Sequence, residues 1–177
     1  MLTTVALTAI VVAAFLAYIT TRPDTFTVKR SLLIRAKPAA IFPLINDFHP
    51  EGWGRWSPWE KIDPELKRSY SGAANGVGTI YEWEGNNKVG SGRMEIQHAE
   101  APSSIEIRLD FLKPFKATNA TVFQLIDEGD QTMVTWKMSG PVPFVGKIMH
   151  LFMDMDKMVG GQFEEGLNNL KALAEKK

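Results

Sequence analysis

Residues 104 to 112 alternate without a break. Ile105, Ile107, Leu109 and Phe111 fall on one side, and Glu106, Arg108 and Asp110 fall on the other. A period of two is the mark of a strand with one face covered and one face wet, which is how antiparallel sheets commonly present themselves. Short alternating segments bounded by turn residues recur at 66–72, 77–84, 89–98, 117–126 and 131–139. The intervening turns contain Asn75-Gly76, Gly85-Asn86-Asn87, Ala101-Pro102-Ser103 and Glu128-Gly129-Asp130, each short enough for a hairpin. Together they predict a meander. A further strand is expected at Thr25 to Ile34, with Phe26, Val28, Leu32 and Ile34 on one face and Arg30 among them.

A sheet with one apolar face needs a cover, and the C-terminus has the pattern for it. From Ile148 onward, Leu151, Phe152, Met155, Met158 or Val159, Phe163, Leu167, Leu170 and Leu173 recur at helical spacing for about seven turns. Gly160-Gly161 interrupts good helix formers, so the helix is expected to bend there or to meet the sheet closely. Between the first two strands, Lys37-Pro38 opens a short helix through Asn46. A loop dense in aromatics, glycine and proline follows it, FHPEGWGRWSPW at 48–59.

The N-terminus stands apart from this pattern. Met1 to Thr21 contains no charged side chain, and Leu2 to Ile19 is apolar except for Thr3, Thr4 and Thr8. A helix of about 20 such residues spans roughly 30 Å of hydrocarbon. A cleaved signal peptide is the rival reading. It would call for positive charge before the apolar run and small residues at the cut, whereas bulky Phe15 stands where a cut after Ala17 needs a small one. Residues 1–22 are therefore expected to be an uncleaved single-pass anchor, with 23–177 as one domain. Arg22, Lys29 and Arg30 follow the segment, which favours the cytoplasmic side for the domain.

Composition narrows the function. Twenty basic and twenty acidic residues cancel, so no net field draws nucleic acid. The chain has no cysteine, which excludes disulfides, thiolate metal sites and cysteine nucleophiles. His49, His98 and His150 have no paired-ligand spacing, GxSxG is absent, and Gly76-Val77-Gly78 leads into a strand rather than a helix. Neither a metal nor a cofactor is expected.

The loop WSPWEKIDPELKRSYSG at 56–72, GVGTIYEWEG at 76–85, VGSGRMEI at 89–96, KPFKATN at 113–119 and the segment from Met138 to Leu173 carry a resemblance. From about Thr25 onward the chain resembles the START-like helix-grip (SRPBCC) superfamily, especially its bacterial polyketide cyclase/dehydrase and lipid-transport group. The resemblance implies an α+β fold in which a curved seven-stranded antiparallel sheet wraps a long C-terminal helix. It also implies a cavity between the two for a lipid or other hydrophobic molecule, and, with the anchor, a place at the bacterial inner membrane.

On that geometry the expected ligand-binding residues are Tyr81, Trp83, Met94, Phe111, Trp136 and Met138 from the sheet, and Phe152, Met155 and Met158 from the helix. Soft, adaptable methionines suit a cavity of variable contents, although each such residue can equally be core. Trp53, Trp56 and Trp59 form either a lid at the entrance or a small core pinning a long loop. Arg30 either meets a ligand anion or pairs with a carboxylate. His98, assigned by alternation to the face of Met94 and Ile96, is the candidate acid/base. A binding or transport protein is the leading expectation. A cyclase, dehydratase or hydrolase using the same cavity, or a membrane-linked interaction module, are the alternatives.

Overall fold

The computed structural model describes residues 1–152 and 154–176. After a helix α1 (Leu2–Thr20) come β1 (Thr25–Ile34) and α2 (Pro38–Asn46), then two single turns of 3-10 helix at Trp53–Arg55 and Pro58–Lys61. Six strands follow: β2 (Lys67–Gly72), β3 (Thr79–Glu84), β4 (Ser91–Glu100), β5 (Ser104–Lys113), β6 (Ala117–Asp127) and β7 (Thr132–Pro141). Two helices close the chain, α3 (Phe144–Met149) and α4 (Met155–Ala174). The strands lie within about two residues of the bounds that alternation predicts.

All seven strands form one antiparallel sheet in the order β1-β7-β6-β5-β4-β3-β2. The meander runs from β2 to β7, and β1 returns to pair with β7 along ten residue positions, Thr25 opposite Pro141 through Ile34 opposite Thr132. Since β1 and β2 occupy opposite edges, the segment joining them must cross the sheet. That segment is α2 and the tryptophan loop, and it crosses on the side that α4 covers. Its large rings therefore share the core with the helix, and Phe48, Trp56, Phe123, Trp136 and Phe163 are all fully buried.

The C-terminal helix starts later than its apolar spacing predicts. The run from Ile148 is divided, with α3 ending at Met149 and α4 beginning at Met155. Asp154 supplies the physical reason, because its carboxylate accepts the Lys157 N–H at 3.1 Å and caps α4 there. The glycine pair does not interrupt the helix. Gly160 is buried where the Arg30 guanidinium crosses the helix, and a Cβ at that position would collide with it. Gly166 performs the same service for Trp136, whose ring would stand 2.8 Å from an added Cβ.

His98 is not on the inner face. The register between β4 and β5 shifts between Ile96, opposite Ile107, and His98, opposite Glu106. This bulge reverses the alternation, so that His98 is exposed and Ala99 turns toward the core.

Candidate ligand cavity

A cavity of about 390 Å³ lies between the inner face of the sheet and the first half of α4. Of the residues expected to bind ligand, Trp53, Trp59, Tyr81, Trp83, Met94, Phe111, Trp136, Met138 and Met158 line it. Trp83 reaches its place because Gly92, opposite it on β4, leaves the space its ring occupies. Tyr81 stacks between Tyr70 and Trp83, at 5.4 and 5.9 Å between centroids, and makes a continuous aromatic row along β2 and β3. Ile62, Val89, Leu109, Val159 and Phe163 complete the apolar wall.

Three of the expected residues are elsewhere. Trp56 is fully buried and does not line the cavity. Its indole N–H donates to the Leu44 carbonyl at 2.8 Å, and its ring packs on Trp53 and Trp136. Phe152 is 83 % exposed at the elbow between α3 and α4. Met155 lines a separate open cleft of about 450 Å³, which it shares with Arg22, Lys147, His150 and Phe152. Of the three loop tryptophans, Trp53 is buried with Trp56, and only Trp59 keeps part of its surface in solvent. Trp53 and Trp56 thus belong to the core and are not a flap.

The two polar candidates also lie outside. Arg30 crosses to α4, where it donates to Asp156 at 2.8 Å and to Glu164 at 2.6 Å. Those hydrogen bonds raise its pKa and hold the Asp156 carboxyl below its ordinary range. Exposed His98 has no part in the cavity.

Apart from Tyr81 and Trp136, the residues that bring polar groups to the cavity were not singled out by sequence. Glu60, from the second 3-10 turn, accepts the Tyr81 hydroxyl at 2.7 Å, and Arg68 holds its other oxygen. Burial, and then the hydrogen bond to Glu60, push the Tyr81 phenol well above the usual tyrosine range. Ser57, Thr121, Trp136 and Gln162 also line the cavity. Ser57 Oγ, Thr121 Oγ1, Trp136 Nε1 and Gln162 Oε1 are sealed from solvent without a hydrogen-bond partner among the described residues. An orphaned buried polar atom costs about 1–3 kcal/mol, and none of these four presents surface to the cavity. Thr121 was legible as an inward position on β6, but its lack of a partner was not. Among the described residues, no three histidine or carboxylate side chains are grouped to hold a metal ion.

A seven-stranded antiparallel sheet with a long C-terminal helix is also the fold that comparison with known proteins finds. The family model described as polyketide cyclase/dehydrase and lipid transport matches residues 25–175. The chain belongs to this family. Its match begins where β1 begins and leaves α1 outside. Truncated norcoclaurine synthase from Thalictrum flavum superposes with a TM-score of 0.64 at 12% identity, over 86% of this chain and 95% of that one. A Chromobacterium violaceum protein gives 0.60 at 14%, over 88% and 100%. Aha1 from Colwellia psychrerythraea gives 0.60 at 16%, over 85% and 96%. At these identities the likeness is one of fold. No curated protein sequence matches the chain significantly.

Proposed function

We propose that the chain is a membrane-tethered binding or transport protein for a lipid or other apolar small molecule, held between the sheet and α4. The observation that carries this reading is the 390 Å³ cavity walled by Trp59, Trp83, Met94, Phe111, Met138 and Phe163. Its volume falls within the range of about 300–1,000 Å³ typical of small-molecule sites. At roughly 30 Å³ per water-sized group, it suits a ring system or a single acyl chain rather than a two-chain lipid. Transfer of apolar area from water, at about 25 cal/mol per Å², drives such binding without catalytic groups. Norcoclaurine synthase of the same fold has been seen in complex with dopamine and hydroxybenzaldehyde, small aromatic molecules bearing polar groups.

Support for the tether comes from Thr3–Thr20, an 18-residue helical stretch of mean hydropathy 2.0 that is almost wholly exposed. A soluble core helix of that composition would be buried. The carboxylate lining the cavity, Glu60, is engaged by Arg68 and Tyr81, which favours binding over proton-transfer chemistry.

The test is native mass spectrometry of the full chain released from nanodiscs, with solvent extraction of whatever accompanies it, and titration with N-phenyl-1-naphthylamine. Expected are a stoichiometric hydrophobic companion and saturable dye binding. A Met94→Trp variant that fills the cavity should abolish both. Empty protein that also fails to bind dye, or dye binding unaffected by that variant, overturns the reading.

A further inference from the structure

We propose that the elbow between α3 and α4, through Phe144, Val145 and Phe152, rests in the boundary between headgroups and acyl chains of the bilayer beside the anchor. This inference rests on the anchor reading and adds to it an orientation for the whole domain.

The tether is not a free leash. Ile19 lies inside the apolar stretch that ends at Thr20, yet it is fully buried, because the last turn of α1 packs against α3. Residues 21–24 link α1 to β1 and are fastened on both sides. The Asp24 carbonyl accepts the Val142 N–H at 2.7 Å, and the Asp24 carboxylate meets Lys147 of α3 at 2.6 Å. Tyr18 and Arg22 form an interfacial pair, with the guanidinium 5.6 Å from the ring centre. An α3 that touches a residue still within the apolar span must sit at the depth where that span leaves the hydrocarbon.

At that depth the elbow turns apolar surface outward. Phe144 is 44 %, Val145 66 % and Phe152 83 % exposed, and Phe152 shares the open cleft with Arg22 and Pro23 at the end of the anchor. A cluster of this kind on a free surface marks a contact. The lysines of the elbow are already paired, Lys147 with Asp24 and Lys157 with Asp154 at 3.7 Å. The elbow therefore offers a bilayer apolar area rather than charge, and its docking should not depend on anionic lipid. Met155 faces the elbow cleft while Met158 and Val159 line the ligand cavity, so one turn of α4 separates the membrane surface from the cargo site.

The absence of cysteine makes the test direct. Single variants Val145→Cys and Phe152→Cys, with Leu7→Cys in the anchor and Asp130→Cys in the β6–β7 turn, are labelled with a nitrobenzoxadiazole dye. Asp130 precedes β7 and the elbow follows it, so ten residues at about 3.3 Å each separate the two ends. The full-length variants are placed in phosphatidylcholine vesicles with and without doxyl-labelled lipid. Labels at 145 and 152 are expected to be quenched several-fold more than the label at 130, equally with or without anionic lipid and at any salt concentration. Quenching at 7 without quenching at 145 and 152 overturns the elbow proposal alone. No quenching at 7 overturns the anchor reading itself. Labels at 145 and 152 shielded from both doxyl lipid and aqueous iodide would mean that a second copy or another protein covers the elbow, and would overturn the proposal as well.

Discussion

Trp136 of β7 and Phe163 of α4 stack face to face, with ring centroids 4.1 Å apart and planes 8° from parallel. This contact joins the helix to the centre of the sheet, and both rings also wall the cavity. Trp53, Trp56, Trp59 and Phe123 surround Trp136 within 5.8 Å, so its position depends on the crossing loop as well as on the helix. Truncation of one partner leaves a void that the others cannot fill. Phe163→Ala is expected to cost about 3–5 kcal/mol in denaturant unfolding, whereas Val145→Ala at the exposed elbow should stay within about 0.5 kcal/mol.

Arg30 binds the first turns of α4 to β1 through Asp156 and Glu164. Because Arg30 holds the Asp156 carboxyl below its ordinary range, this contribution is fully present above the unfolded pKa of about 3.9 and is lost as pH falls through the folded one. Protection of the amides from Lys157 to Gly161, relative to their intrinsic exchange rates, should therefore fall below about pH 4, before the sheet opens. Arg30→Met should show the faster exchange at every pH. Equal acid profiles for the wild type and the variant would exclude the clamp.

The strands were readable because a period of two survives along most of their length, and the cover helix because nine apolar positions keep helical spacing. What misled was geometry that spacing does not encode. The bulge after Ile96 reverses the side on which His98 emerges, and nothing in the letters QHAE announces it. Leu151 and Phe152 continue the apolar period of α4, but they belong to the elbow, where the Asp154 cap and not the period sets the helix start. The tryptophan loop was undecided between lid and core, because only the strand order shows that the segment must cross beneath the sheet. Pairing partners were equally hidden. Glu60 and Tyr81 are 21 residues apart and meet only in the folded chain.

Tyr81 leads to a prediction at the alkaline end. Its phenol pKa is raised by burial and by the hydrogen bond to Glu60, so the neutral form is the one that fits the fold. The stability this provides is complete below the unfolded tyrosine pKa of about 10 and is lost as pH rises from there toward the folded value. The loss should approach about 1.4 kcal/mol per pH unit. Tyr81→Phe should begin about 0.5–1.5 kcal/mol lower at pH 7 for want of one hydrogen bond, yet decline less steeply above pH 10. Denaturant midpoints from pH 7 to 11.5 would show the two curves converging. Parallel curves would place the alkaline loss elsewhere.

Thr121 separates what stability asks of the cavity from what cargo asks of it. Its hydroxyl is 1 of the four unpartnered polar atoms among the cavity residues, and the residue is 4 % exposed. Valine has nearly the same shape and carries no group that needs a partner. Thr121→Val should raise the stability of the unliganded protein by about 1 kcal/mol, at the low end of the cost of an orphaned polar atom, which is about 2–4 °C in midpoint for a domain of this size. A hydrocarbon ligand should bind this variant as well as before or better. A ligand of the same size carrying a carbonyl or hydroxyl should bind it equally well, because the lost hydroxyl has no surface on the cavity. Dye displacement with matched pairs, such as an alkane and its ketone, measures both arms on one protein. A loss confined to the ketone would mean that the hydroxyl reaches the cargo after all.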